Sequence, residues 1–141
     1  MKYDVIALGA GSGGISVVER AVSYGAKCLV IEKGVVGGTC VNVGCVPKKI
    51  MWNAAHVADT IRNSSGYGFD VDLKNFSWKT LKEKRDGYIG GITNWYGGYL
   101  ESLGIDYVEG NARFVDDHTI EVNGQKYTAN HIVISTGGRP K

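Results

Sequence analysis

Short apolar runs alternate along the chain with glycine-rich turns and amphipathic stretches. Val5-Ile-Ala-Leu8 is the first run and ends at Gly9. Downstream, Ile15, Val18, Ala21 and Val22 recur at helical spacing, and Gly25 falls where a helix C-cap belongs. Lys27-Cys-Leu-Val-Ile31 then reads as a second buried strand, with Cys28 as a buried structural thiol. Together they form a strand–turn–helix–strand unit of about 30 residues, the length of one βαβ motif. Helical spacing returns from Pro47 to Arg62, with Ile50, Ala54, Val57, Ala58 and Ile61 on one face. Ser77 is placed to cap a long helix that runs to Leu103 and stops at Gly104. Gly90, Gly91, Gly97 and Gly98 lie inside that helix at roughly 1 kcal/mol each relative to Ala, so packing must hold it or it breaks. The last third is β-rich: Ile105–Glu109, Ala112–Val115, Thr119–Val122 and Tyr127–Thr128, with Asn123-Gly124 as a hairpin signal. His131-Ile-Val-Ile-Ser135 is another buried strand and leads into the loop Thr136-Gly-Gly-Arg-Pro140.

Composition narrows the classes. A chain of 141 residues, 43% hydrophobic and 21% charged, has room and apolar material for one domain and is not a disordered segment. Sixteen Lys and Arg against 14 Asp and Glu leave a net charge of +2, which gives no support for a nucleic-acid or membrane partner bound through bulk charge. The first apolar run is too short for a signal peptide, and no stretch approaches the roughly 18 apolar residues of a membrane span. Three cysteines make a poor secreted disulfide framework. The expectation is a soluble, cytoplasmic protein.

Two motifs carry chemistry. Gly9-x-Gly11-x-x-Gly14 lies between a predicted strand and a predicted helix, the context of a dinucleotide-binding turn. Its glycines would permit a tight turn, a close approach to a pyrophosphate and close helix–strand packing, with helix N–H groups facing the phosphates. Glu32 follows 18 residues after Gly14, where a carboxylate accepts hydrogen bonds from ribose hydroxyls and repels a 2′-phosphate. That disfavours NADP at this turn and leaves FAD and NAD undistinguished. The second motif is Gly37-Gly-Thr-Cys40-Val-Asn-Val-Gly-Cys45-Val-Pro-Lys-Lys49. Cysteines five apart rise about 7.5 Å along a regular helix and point roughly 140° apart. A disulfide needs Cα atoms about 4.4–6.8 Å apart, so only an irregular turn, eased by Gly44, brings the two together. Lys48 and Lys49 would favour a nearby thiolate. A redox pair is the leading reading, with inert thiols and a metal site as alternatives. The metal site is thin, because zinc takes four ligands and His56 is the only histidine nearby.

These motifs closely resemble the N-terminal part of the flavin-dependent pyridine nucleotide–disulfide oxidoreductases, and within them the glutathione reductases. GGTCVNVGCVPKK is similar to that family's redox-active disulfide, GAGSGG with Glu32 to its FAD fingerprint, and STGGRP to its second FAD-contacting loop. The resemblance implies a truncated, three-layer Rossmann-like α/β domain: a parallel sheet, helices on one face, and a β-meander near residues 112–128 on the other. It implies that Cys40 attacks a disulfide substrate, that Cys45 lies against the flavin and that Lys48 sits by the flavin ring. Ser12, Gly13, Glu32, Thr39, Cys40, Lys48 and Ala112 fall where the family contacts FAD, beside Gly9, Gly11 and Gly14, with Thr136 and Gly137 nearby. Tyr96 falls where a tyrosine covers the substrate, and Ser12 where a serine touches a substrate carboxylate.

Glu19 departs from the pattern, since some glutathione reductases place there an arginine that pairs with a substrate carboxylate. It reads either as a solvated helix position or as a mark of a disulfide lacking that charge. The implied reaction is NADPH-driven reduction of glutathione disulfide by a homodimer. Residues 1–141 would form only the N-terminal part of the FAD domain, with the NADPH and dimer-interface domains absent, so this chain alone should not turn over. His56, His118 and His131 match no catalytic motif of the family and read as structural or exposed. The alternatives are a reductase of another small disulfide (glutathione amide or trypanothione), a mercuric or dihydrolipoamide-type reductase, and a stand-alone FAD-binding module.

Overall fold

The apolar runs near the N-terminus become adjacent parallel strands because their alternating side chains supply two buried faces at once. The computed structural model describes residues 2–139. Pro140, the end of the expected loop, lies outside them. The elements are β1 (Lys2–Leu8), α1 (Ser12–Val22), β2 (Cys28–Glu32), α2 (Gly38–Asn42), α3 (Cys45–Asn63), a 3₁₀ turn (Ser64–Tyr67), α4 (Trp78–Ser102), β3 (Asp106–Glu109), β4 (Arg113–Asp116), β5 (Thr119–Val122) and β6 (Gln125–Ile134). They build one six-stranded sheet in the order β3-β2-β1-β6-β5-β4. Strands β3, β2, β1 and β6 pair in parallel, whereas β4, β5 and β6 pair antiparallel as a meander.

The two faces of the parallel part follow the period of two along each strand. Ala7 on β1 and Cys28 and Val30 on β2 pack with Ile15 and Val18 of α1 and Leu100 of α4. Ile6 and Leu8 with Leu29 and Ile31 point the other way, into a cluster with Ile120, Val122 and Tyr127 of the meander. Although β3 and the meander stand at opposite ends of the strand order, the Asn123 side-chain amide of the β5–β6 turn donates to the Glu109 carbonyl of β3 at 2.8 Å. The sheet therefore folds back, and the meander covers one face of the parallel strands while α1 and α4 cover the other. That is the expected α/β arrangement.

Several elements differ in detail from the reading of the sequence. The two strands expected at Tyr127–Thr128 and His131–Ser135 are one strand, β6, whose register on β1 continues from Thr128 through Ile134. Neither Gly nor Pro interrupts Ala129-Asn130, and the Asn130 side-chain amide donates to the Asp4 carboxylate at 3.2 Å. Asn123 and Gly124 both take left-handed φ, the geometry of a tight hairpin turn. Helix α4 is unbroken over 25 residues despite its glycines, and Ser77 caps it by accepting from the Thr80 N–H at 3.2 Å. Of this helix only Leu100 is buried.

Candidate functional site

A groove of about 350 Å³ opens at the C-terminal ends of β1, β2 and β6. This is the switch point of the sheet, because β2 lies on one side of β1 and β6 on the other. Gly9, Gly11, Glu32, Thr39, Ala112, Thr136 and Gly137, all read from the sequence, line it together. Gly11 is the N-cap of α1 and no side chain caps that helix. Gly14 is buried rather than lining: a Cβ there would collide with the Gly9 carbonyl and approach Ser135 Oγ to 2.8 Å. Its absence of a side chain lets α1 start directly above β1. Ser135 ties the same corner by donating to the Leu8 carbonyl at 2.9 Å.

Glu32 ends β2 and turns its carboxylate into the groove. Oε2 accepts from the Ala10 N–H at 2.7 Å and Oε1 from the Gly34 N–H at 2.8 Å. A carboxylate offers about four lone-pair sites, so these two bonds fix its orientation and leave acceptors for a diol. Glycine backbone, an uncapped helix start and an oriented carboxylate fit the diphosphate and ribose of a dinucleotide such as FAD. Asn42, to which the sequence reading gave no role of its own, also lines the groove, as does Ser135, the first residue of the expected FAD-contacting loop STGGRP. Asn42 Nδ2 donates to the Val36 and Gly38 carbonyls at 3.0 Å each and so fixes the loop that forms one wall. The only signal for it was its position between the two cysteines.

Beside the groove, the cysteine motif forms a broken helix. α2 ends at Asn42, Val43 and Gly44 leave helical geometry, and α3 starts at Cys45. Gly44 has φ −124° and ψ −106°, and a Cβ there would approach the Thr39 carbonyl to 2.8 Å. The break brings Cys45 close enough to act on the Cys40 thiol, and both are free. Pro47 falls in the first turn of α3, where its missing N–H costs nothing. The thiol pKa of Cys40 lies above the ordinary value, first because of the Cys45 hydrogen bond and then burial, while the Lys48 ammonium pulls it down. The expected help from lysine is thus present for Lys48 but does not set the net direction. Cys40 is half-buried and Cys45 exposed. Cys28 is fully buried on β2, as expected. α2 reaches the groove through Gly38, where a Cβ would meet the Gly11 Cα at 2.7 Å.

The remaining residues singled out in the sequence lie outside the groove. Ser12 and Gly13 are exposed at the start of α1. Lys48 is exposed on the first turn of α3. Tyr96 is half-buried on α4, packed at the edge of the α1-side core and edge-on to Trp95 at 5.2 Å. Glu19 is exposed but not simply solvated: its Oε1 accepts from the Tyr99 hydroxyl at 2.6 Å, across 80 residues of sequence. His56 stands edge-on to Trp52, and His118 Nδ1 lies 3.1 Å from the Ala129 carbonyl, consistent with structural roles. Among the described residues there is no group of three potential metal ligands, and no helix is long and apolar enough to cross a membrane.

A switch-point groove with a glycine cradle, next to a dithiol on a broken helix, defines a dinucleotide-binding domain of redox type. The chain matches the pyridine nucleotide-disulphide oxidoreductase family over residues 3–141 and belongs to that family. It is 45% identical to a glutathione reductase of Yarrowia lipolytica, over 99% of this chain and 33% of that protein. It is 41% identical to a glutathione reductase of a Nostoc species, over 98% of this chain and 30% of that protein. The chain thus spans about a third of the length of these relatives.

Proposed function

We propose that this chain is the FAD-binding and dithiol portion of an NADPH-dependent reductase of glutathione disulfide, a homodimer when complete. The observation that carries the reading is the contact of Cys40 with Cys45 at a helix break beside the dinucleotide groove. Glu32 would hold the ribose of FAD, the start of α1 its diphosphate, and Thr39, Ala112, Thr136 and Gly137 the walls around it. Bound flavin would exchange two electrons with the dithiol.

The chain's own part is thiol–disulfide exchange. The Cys40 thiolate attacks one sulfur of the substrate disulfide, and one thiolate leaves and takes up a proton. Cys45 then loses its proton and attacks Cys40 Sγ of the mixed disulfide, which expels the second thiol. The pair ends oxidised and the substrate ends as two thiols. Exposure alone would favour Cys45 as the attacking group. The family resemblance assigns the attack to Cys40, whose raised pKa the Lys48 ammonium partly offsets. Ser12 and Tyr96 are the proposed substrate contacts.

Incubation of the purified chain with FAD, followed by desalting and a visible spectrum, tests the cofactor half of the proposal. Wild-type chain retains flavin, and Glu32→Ala weakens retention at least about tenfold, the loss of charged hydrogen bonds to a diol. Equal retention by both would remove Glu32 from the cofactor site.

A further inference from the structure

Asn42 ends α2 between the two cysteines, and its side chain reaches back along the chain. The amide nitrogen Nδ2 donates to the Val36 and Gly38 carbonyls at 3.0 Å each and lies 3.4 Å from the Val35 carbonyl. Asparagine is a poor helix former, because its side chain competes for nearby backbone groups, and here that competition is put to use. α2 has only five residues and no side-chain cap at its start, too short to hold its own geometry. Its position is therefore set by what touches its two ends. At the first, Gly38 lies so close to Gly11 that a Cβ would stand 2.7 Å from the Gly11 Cα. At the last, Asn42 ties the helix to the loop 33–37.

That loop is itself bound to the glycine turn and to Glu32. The Gly34 N–H donates to Glu32 Oε1 at 2.8 Å, and the Gly37 N–H donates to the Ala10 carbonyl at 2.8 Å. Ala10 in turn donates its own N–H to Glu32 Oε2 at 2.7 Å. The bonds thus run from the groove carboxylate, through the loop, to the residue just before the break at Val43 and Gly44. Cys40 lies two residues before Asn42, and Cys45 starts α3 directly after the break. Two groups react faster and more completely when their geometry is held in advance. We infer that Asn42 is the positioning residue of the dithiol: its amide clamps the groove wall to α2 and so holds Cys40 in line with Cys45 for disulfide formation. Its bonds go to backbone carbonyls, so it acts through α2 and not at a sulfur. The inference rests on the thiol–disulfide reading above and adds to it the residue that pre-organises the pair.

The test equilibrates the reduced 141-residue chain with mixtures of glutathione and glutathione disulfide, and mass spectrometry after acid quenching gives the products. The reaction turns two protein thiols and one glutathione disulfide into one Cys40–Cys45 bond and two glutathione thiols. Without the clamp the reduced pair is looser, so Asn42→Ala lowers this equilibrium constant about two- to tenfold, the scale of one lost hydrogen bond. Asn42→Asp keeps the size but removes the donor, and lowers the constant at least as far. Both variants also prolong the mixed disulfide of glutathione on Cys40, because the second exchange step needs an aligned Cys45. Asn63→Ala removes a similar bond, from Nδ2 to the Asp59 carbonyl of α3 at 2.9 Å, and leaves the constant unchanged. An equal fall in Asn63→Ala overturns the inference. So does an unchanged constant and mixed-disulfide lifetime in both Asn42 variants, even where thermal stability drops. If wild type forms no Cys40–Cys45 disulfide in any mixture, the exchange reading itself fails and the inference falls with it. A further measurement needs no variant and is immune to a substitution that prevents folding. In the wild-type chain the Asn42 side-chain amide protons exchange with water more slowly than those of the exposed Asn53, and equal rates overturn the clamp.

Discussion

At the scale of single residues, function rests on side chains whose partners fix their chemistry. Glu32 was legible in the sequence because its distance from the glycine turn is set by one helix and one strand, both strongly patterned. The Glu19–Tyr99 contact was not legible, since nothing local relates two positions on helices 80 residues apart. Lys48 acts on Cys40 against the Cys45 hydrogen bond. Lys48→Gln should therefore move the pH midpoint for oxidation of the dithiol upward and slow the reaction at neutral pH about two- to threefold, read by stopped-flow thiol assays. A rate that is unchanged at all pH values would separate Lys48 from the thiolate. Tyr3 gives a second pH signature. Burial first, and then the Asp106 carboxylate that its hydroxyl meets at 2.8 Å, raise its phenol pKa well above the ordinary value. The folded pKa being the higher one, this stabilisation is complete below about pH 10 and is lost as pH rises toward the folded value. Tyr3→Phe should cost about 1 kcal/mol in urea denaturation at neutral pH and flatten the alkaline decline.

At the scale of elements, the decisive feature is an interruption. The spacing of Cys40 and Cys45 already demanded a break, and Gly44 supplies it, because a side chain there would press on the Thr39 carbonyl. Gly44→Ala should separate the thiols and slow formation of their disulfide more than it lowers thermal stability. Helix α4 shows the opposite case. Five interior glycines, Gly87, Gly90, Gly91, Gly97 and Gly98, left open whether the helix breaks or is held, and it is continuous, held at Ser77 by its cap and near its far end by buried Leu100. A Cβ at Gly97 or Gly98 would meet no neighbour within 4 Å. Gly97→Ala and Gly98→Ala should each stabilise the chain by about 1 kcal/mol in thermal or chemical denaturation. Helix propensity in the sequence could not decide this, because continuity depends on anchoring at the two ends.

At the scale of the molecule, the βαβ unit, the hairpin at Asn123-Gly124 and the α/β class follow from periodicity and turn chemistry. The return of the meander over the parallel strands is a tertiary event, closed by Asn123 on Glu109, and no local pattern announces it. Asn123→Ala should cost about 1–2 kcal/mol through the lost bond and the left-handed φ. The fold sets the glycine groove beside the dithiol, so the central claim concerns what those two thiols do together. Its most direct test mixes the anaerobically reduced chain with one equivalent of glutathione disulfide and maps the products by mass spectrometry. The expected products are a Cys40–Cys45 disulfide, an unmodified Cys28 and two released glutathione thiols, with Cys45→Ser trapping glutathione on Cys40. Glutathione left on Cys45 or Cys28, or both motif cysteines still reduced, would contradict the claim.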